Sequence, residues 1–187
     1  MMKKVDLYPS TIYLDNIYNN NFITEALKVS KDLSKNDTKL NDCSVRLGWQ
    51  STKELYNIPL FSKLADAILI ITKKNILQKN IQPFISSMWL NVQGTNGFNH
   101  THVHSGGWYS GVFYLKCCEK SGNITFTDPR PGAEMSLYHQ FTNGEIQTIS
   151  PKPGDLILFP SWLPHLVEPN YSNDDRISVA FNIELNI

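Results

Sequence analysis

Two regimes of hydrophobic spacing divide the chain. After a short extended start over residues 5–14, the stretch NNNFITEALKVSKDLSK sets Phe22, Ala26, Val29 and Leu33 on one helical stripe. Asn20 or Asn21 is the expected N-cap, since an amide side chain there satisfies an orphan backbone N–H. The polar run over residues 36–42 reads as a loop. A second helix is predicted from Pro59, where proline suits the first turn, with Leu60, Leu64, Ala67, Ile68 and Ile71 as its buried stripe. From about residue 85 the period falls to two. Short β-prone runs (SSMWLNVQ, WYSGVFYLKC, GNITFTD, MSLYHQF, EIQTISP, GDLILFP, RISVAFNIEL) alternate with Gly, Pro and Asn punctuation. Strands at such spacing without intervening helices predict a sandwich or barrel, here a jelly-roll with the helices packed on its outside.

Composition narrows the function only modestly. The 187 residues predict one domain, a mainly helical part over 1–84 followed by a β core over 85–187. Formal net charge is zero, which argues against a broad nucleic-acid or anionic-membrane surface. No apolar run is long enough to span a bilayer; ADAILII, the longest, contains Asp66. The N-terminus has a short basic start without an apolar stretch after it, so no signal peptide is expected. Cys43, Cys117 and Cys118 make an odd count without a C-x-x-C pair, and neighbouring strand residues face opposite ways. A reduced, cytoplasmic protein is the simpler expectation.

The chemistry concentrates in NHTHVHSGGWYSGVFYL, residues 99–115, where His100, His102 and His104 stand at alternate positions. Side chains two apart on a strand share a face about 6.6 Å apart, so an adjacent pair can converge on one metal ion at bonds of about 2.1 Å. The outer two would be about 13 Å apart, too far for all three to meet. One pair is therefore expected to bind metal, and the third histidine does something else.

A second cluster, PKPGDLILFPSWLPHLVEP, presents His165 after a bend stiffened by Pro160 and Pro164 around Trp162. Eleven residues later Arg176 opens RISVAFNIEL. On that strand Ile177, Val179, Phe181 and Ile183 form the packed face, leaving Arg176, Ser178, Ala180 and Asn182 on the other. The guanidinium fork suits a carboxylate, and the Ser178 hydroxyl adds a donor beside it.

Taken together, the order H-x-H, then His some 60 residues on, then R-x-S resembles the Fe(II)- and 2-oxoglutarate-dependent oxygenases. More narrowly, WLNV, FNHTHVHSGGWYSGVFYL, ITFTDPR, PKPGDLILFPSWLPHLVEP and DRISVAFNIEL, together with GWQS at residues 48–51, resemble a bacterial and phage type of this class with an H-x-H motif. The resemblance covers roughly residues 85–187. It implies a double-stranded β-helix core, cupin-like in architecture, with Fe(II) as metal and 2-oxoglutarate as co-substrate. It implies hydroxylation of a small-molecule or peptidyl substrate, with release of succinate and carbon dioxide. Counting back from Tyr114 in SGVFYL, it gives His102, His104 and His165 as metal ligands. Arg176 and Ser178 become the co-substrate anchor, with Tyr114 as a further donor.

One departure matters. Most of the class carries a carboxylate where this chain has His104. Asp128 of FTDPR could supply one from a neighbouring strand, or the site could use two protein ligands and water. Three neutral imidazoles would leave the iron one unit more positive, and dianionic 2-oxoglutarate would then bring the complex to formal neutrality. Trp108 and Trp162 flank the expected ligands, as an aromatic wall or as packing. Two other readings compete: a cupin-like metal enzyme without 2-oxoglutarate, and a non-catalytic β-barrel binding module. The role of His100, the prime substrate and any homo-oligomer stay open at this stage.

Overall fold

A computed structural model describes residues 3, 9–37, 44–77, 80–132 and 146–186. Cys43, the strand expected at MSLYHQF, and parts of the extended start and of the 36–42 loop lie outside the described residues.

Two helices form as the apolar spacing requires. Helix α1 spans Asn20–Asn36, and its cap falls one residue earlier than expected, at Asn19, whose side chain accepts from the Phe22 N–H at 3.0 Å. Phe22, Ala26, Val29 and Leu33 all reach the core. Helix α2 spans Pro59–Asn75, with proline in its first turn. Its buried stripe is rotated from the expected one: Phe61, Leu64, Ala65, Ile68 and Thr72 are buried, while Leu60 and Ile71 flank them. The larger Phe61 side chain takes the centre, and Thr72 is tolerated because its hydroxyl donates to the Ile68 carbonyl at 2.8 Å.

The strands are β1 (Tyr13–Asn16), β2 (Val45–Gln50), β3 (Gln82–His102), β4 (Tyr109–Lys116), β5 (Ile124–Thr127), β6 (Ile146–Ile149), β7 (Asp155–Pro160), β8 (His165–Val167) and β9 (Arg176–Asn186). Their order is β1-β7-β4-β9-β3-β8-β5-β6, with β2 also on β3, and the paired strands run antiparallel. Thus the first 84 residues supply two whole strands and the start of β3 as well as the helices.

Strand β3 joins the two halves of the core. Its first part pairs with β9 from Gln82 to Gln93, and its end pairs with β8 at Asn99 and His102. A straight strand of its length would run about 70 Å, longer than such a domain is wide. It bends instead around residues 94–97, where Asn96 adopts a φ of 64° and the pairing to β2 skips from Gln93 to Phe98 across Leu47. The sheet curls into a jelly-roll, the double-stranded β-helix. Its outer face carries Met88, Leu90, Phe113, Leu115, Leu156, Leu158 and the odd-numbered row of β9 against the two helices. Its inner face carries the polar row of β9, as the alternation in RISVAFNIEL requires.

Candidate metal centre and anion pocket

Strand pairing brings the distant histidines together. His102 at the end of β3 stands opposite His165 at the start of β8. The backbone N–H of His104 donates to Ser161 O at 2.9 Å, fixing the segment after β3 against the β7–β8 connection. Ring centroids lie 4.3 Å apart for His102 and His165, 5.3 Å for His102 and His104, and 5.2 Å for His104 and His165. One nitrogen from each ring lies within 4.8 Å of the others. A small inward rotation would bring them to the roughly 3 Å spacing of adjacent ligands bonded at about 2.1 Å.

The second nitrogen of each ring fixes which atom is free. His102 Nδ1 meets the His100 carbonyl at 2.7 Å, and His165 Nδ1 the Leu163 carbonyl at 2.9 Å. His104 Nδ1 meets Asn182 Oδ1 at 2.5 Å. A carbonyl oxygen accepts only, so each Nδ1 carries the proton and each Nε2 keeps its lone pair. Burial reinforces this, holding His165 down to about 3 and His104 to about 4, and pushing His102 down as well. All three rings are neutral at pH 7, the state a metal requires.

His100 does not join them. It is exposed and packs edge-on against Phe98, with centroids 4.8 Å apart. The alternation expected of a regular strand breaks at the register shift between Asn99 and His102, so His100 contributes its carbonyl rather than its ring. Asp128 is likewise elsewhere. Its carboxylate takes the Arg130 guanidinium at 2.5 Å and the Arg130 N–H at 3.0 Å, as a turn residue before Pro129. Among the described residues the metal-competent cluster is the three histidines.

The same pocket is lined by Asn91, Tyr114, Arg176 and Ser178. Arg176 is 1% exposed. Its Nε and Nη2 donate to Gln93 Oε1 at 3.1 and 2.9 Å, Nη2 also to Gly97 O at 3.2 Å, and Nη1 to Glu168 O at 2.9 Å and to Ser121 O. These bonds occupy all five N–H donors. Gly122, at a φ of 83°, passes so close that a Cβ there would lie 2.7 Å from Arg176 Nη1. The expected free fork is therefore engaged by protein acceptors. Yet no carboxylate among the described residues lies within ion-pair distance of this buried cation, so carbonyl dipoles meet it directly and Glu168 acts on its charge only from farther off. Tyr114 and Ser178 line the pocket, and among the described residues their hydroxyls have no hydrogen-bond partner. Burial raises the Tyr114 phenol well above its ordinary range, keeping it a donor.

Several neighbours were not legible beforehand. Trp89 stacks on His104 with centroids 5.8 Å apart, and Phe159 packs on His165 at 4.5 Å. Of the two tryptophans expected at the ligands, Trp108 packs on Tyr109 and the outer core, while Trp162 is exposed. A polar chain also crosses the pocket wall. Gln93 Nε2 donates to Asn99 Oδ1 at 2.8 Å, Asn99 Nδ2 donates to Ser44 Oγ at 2.9 Å, and Ser44 Oγ lies 3.5 Å from His102 Nε2.

A family model described as "Putative 2OG-Fe(II) oxygenase" matches residues 87–182, just over half of the chain. The chain belongs to this family of 2-oxoglutarate- and Fe(II)-dependent oxygenases. No curated protein sequence matches it. Among solved structures, it is similar to the non-heme alpha ketoglutarate dependent epimerase SnoN from nogalamycin biosynthesis (TM-score 0.74, 12% identity, 94% of this chain and 76% of that one). It is also similar to HygX from Streptomyces hygroscopicus, solved with nickel, 2-oxoglutarate and hygromycin B bound (TM-score 0.67, 12% identity, 94% and 83%). A third similar structure is a Pseudomonas putida prolyl-4-hydroxylase (TM-score 0.66, 12% identity, 92% of each chain). At these identities the likeness speaks for the fold. No described helix is long and apolar enough to cross a membrane.

Proposed function

We propose that His102, His104 and His165 hold Fe(II) through Nε2, and that Arg176, Ser178 and Tyr114 receive the distal carboxylate of 2-oxoglutarate. The observation that carries this reading is the convergence of three neutral imidazoles, each with Nδ1 already spent on an acceptor. Three ligands on one side of an ion leave positions for a chelating co-substrate and dioxygen. Iron, once bound, supplies the oxidising chemistry that converts 2-oxoglutarate and dioxygen to succinate and carbon dioxide while hydroxylating a C–H bond. The chain's own residues bind, orient and exclude water. The Arg176 charge, lacking a carboxylate partner among the described residues, attracts the anion, and the two unengaged hydroxyls donate to it. The aromatic walls at Trp89 and Phe159 keep the histidines dry.

The prime substrate is a small molecule or a peptide side chain, the classes represented by hygromycin B in HygX and by the peptide fragment bound to a Trichoplax adhaerens prolyl hydroxylase. The whole chain acts as one domain, since both helices pack on the outer face of the sheet whose inner face forms the pocket. The thiols of Cys117 and Cys118 are unpaired, in keeping with work in the cytoplasm.

Tyr114→Phe and Ser178→Ala test the anchor without removing a structural bond. A hydrogen bond to a charged group contributes about 1.5–3 kcal/mol, so each should weaken 2-oxoglutarate about 10- to 100-fold while leaving Fe(II) affinity and stability near the parent values. Unchanged 2-oxoglutarate affinity in both variants would remove these hydroxyls from the anchor.

A further inference from the structure

We infer that Asn182 is the positioning residue that lets a histidine work where the family's carboxylate stands. This rests on the reading of His104 as an iron ligand. Asn182 lies on the inward row of β9, two residues beyond Ala180, and its amide is held at both ends. Oδ1 accepts from His104 Nδ1 at 2.5 Å and from the Ser110 hydroxyl at 2.8 Å, while Nδ2 donates to Ser87 Oγ at 2.9 Å. Ser110 is fully buried and lies 2.8 Å from the Ser161 hydroxyl, so its single proton goes to Asn182 while it accepts from Ser161. With its oxygen turned to His104 and Ser110 and its NH2 to Ser87, the amide makes one demand on the imidazole: a proton on Nδ1.

Two consequences follow. The first is the tautomer. A free neutral imidazole side chain carries its proton mostly on Nε2, the wrong atom for this ligand set. Asn182 holds it on Nδ1 before any metal arrives, so the lone pair of Nε2 is already available. The second is charge. A carboxylate at this place would draw the imidazole toward imidazolate and return to the iron the negative charge that His104 removed. A neutral amide fixes the ring without doing so. The ion keeps both its positive charges for the dianionic co-substrate.

The test uses Asn182→Ala and the near-isosteric Asn182→Asp in the full-length protein. In metal-free protein at pH 7, 15N NMR of the histidine rings should show His104 protonated on Nδ1 in the parent and on Nε2 in Asn182→Ala. Fe(II) affinity in Asn182→Ala should fall about 10- to 100-fold, the usual cost of removing such a partner. Asn182→Asp should separate the two affinities, binding Fe(II) more tightly and 2-oxoglutarate more weakly. Its iron-to-2-oxoglutarate charge-transfer band should move to longer wavelength, because a more electron-rich iron gives up an electron more readily. A merely structural asparagine would lower both affinities together and leave the band in place. In a His104→Asp background, Asn182→Ala should no longer weaken Fe(II), since no imidazole remains to be oriented.

The failures are distinguishable. If His104→Ala keeps Fe(II) at parent affinity, the ligand assignment itself is wrong. If His104 is needed but the tautomer, both affinities and the band are indifferent to both Asn182 variants, the inference about Asn182 alone is overturned.

Discussion

Arg176→Ala removes five N–H donors from a site where Gln93 Oε1 and the carbonyls of Gly97, Ser121 and Glu168 accept them. Three of those acceptors are backbone atoms from separate segments, so they have little freedom to turn toward water. Each buried acceptor left alone costs about 1–3 kcal/mol, or roughly 4–12 kcal/mol for the set. Releasing a buried, unpaired charge returns several kcal/mol of that. A net loss of about 3–6 kcal/mol remains, a large part of the roughly 5–15 kcal/mol that holds a domain together. At about 2–4 °C per kcal/mol for a chain of this size, the apoprotein should melt roughly 6–24 °C lower. Arg176→Lys keeps the charge with three donors and should fall between. Urea unfolding of metal-free protein, followed by tryptophan fluorescence, measures this directly. If Arg176→Ala stays within about 1 kcal/mol of the parent, the guanidinium does not tie those segments together. Loss of 2-oxoglutarate binding in an Arg176→Ala protein is therefore ambiguous, which is why Tyr114 and Ser178 are the cleaner probes.

Other outcomes are equally specific. Burial holds the folded pKa values of His104 and His165 at about 4 and about 3, below the unfolded 6.5, so the unfolded chain binds more protons in acid. The apoprotein should keep its full stability above about pH 6.5 and lose about 2 kcal/mol per ring by pH 5. Equal urea midpoints at pH 7 and pH 5 would contradict neutral burial of these rings. Asp128→Asn should leave Fe(II) affinity unchanged within about twofold, because the Asp128 carboxylate is paired with Arg130; a loss of tenfold or more, read by anaerobic titration, would put Asp128 back among the ligands. Gly111→Ala should destabilise by about 1–3 kcal/mol or more, since its Cβ would lie 2.5 Å from Phe181 Cζ and 2.7 Å from Ile157 O. Thermal melting at parent temperature would show that β4 and β9 have more room than their packing allows.

The residues that chemistry marks were the readable ones. His102, His104 and His165 stand out because few other reasons put an H-x-H pair and a proline-flanked histidine on short strands, and the alternation in RISVAFNIEL assigns both faces of β9 correctly. What stayed hidden depends on contacts between distant segments. The spacing of His100, His102 and His104 fits two different pairs equally well, and only the register shift after Asn99 separates His100 from the cluster. The partners of Arg176 are mostly backbone carbonyls, which have no sequence signature. Asn182 could be put on the right face, but its link to His104 spans 78 residues. Strand β3 hides a bend inside one continuous β-prone stretch, marked only by the Gly94-Thr95-Asn96-Gly97 turn residues.

The central claim is that three histidines and an anion pocket together form one iron and 2-oxoglutarate site. Anaerobic titration of the apoprotein with Fe(II), and then with 2-oxoglutarate, tests it most directly through the visible iron-to-2-oxoglutarate charge-transfer band. A saturable band is expected at one equivalent of iron, and it should disappear when His102, His104 or His165 is replaced by alanine. Stoichiometric iron binding with no band at saturating 2-oxoglutarate, or a full band in any of the three alanine variants, would contradict it.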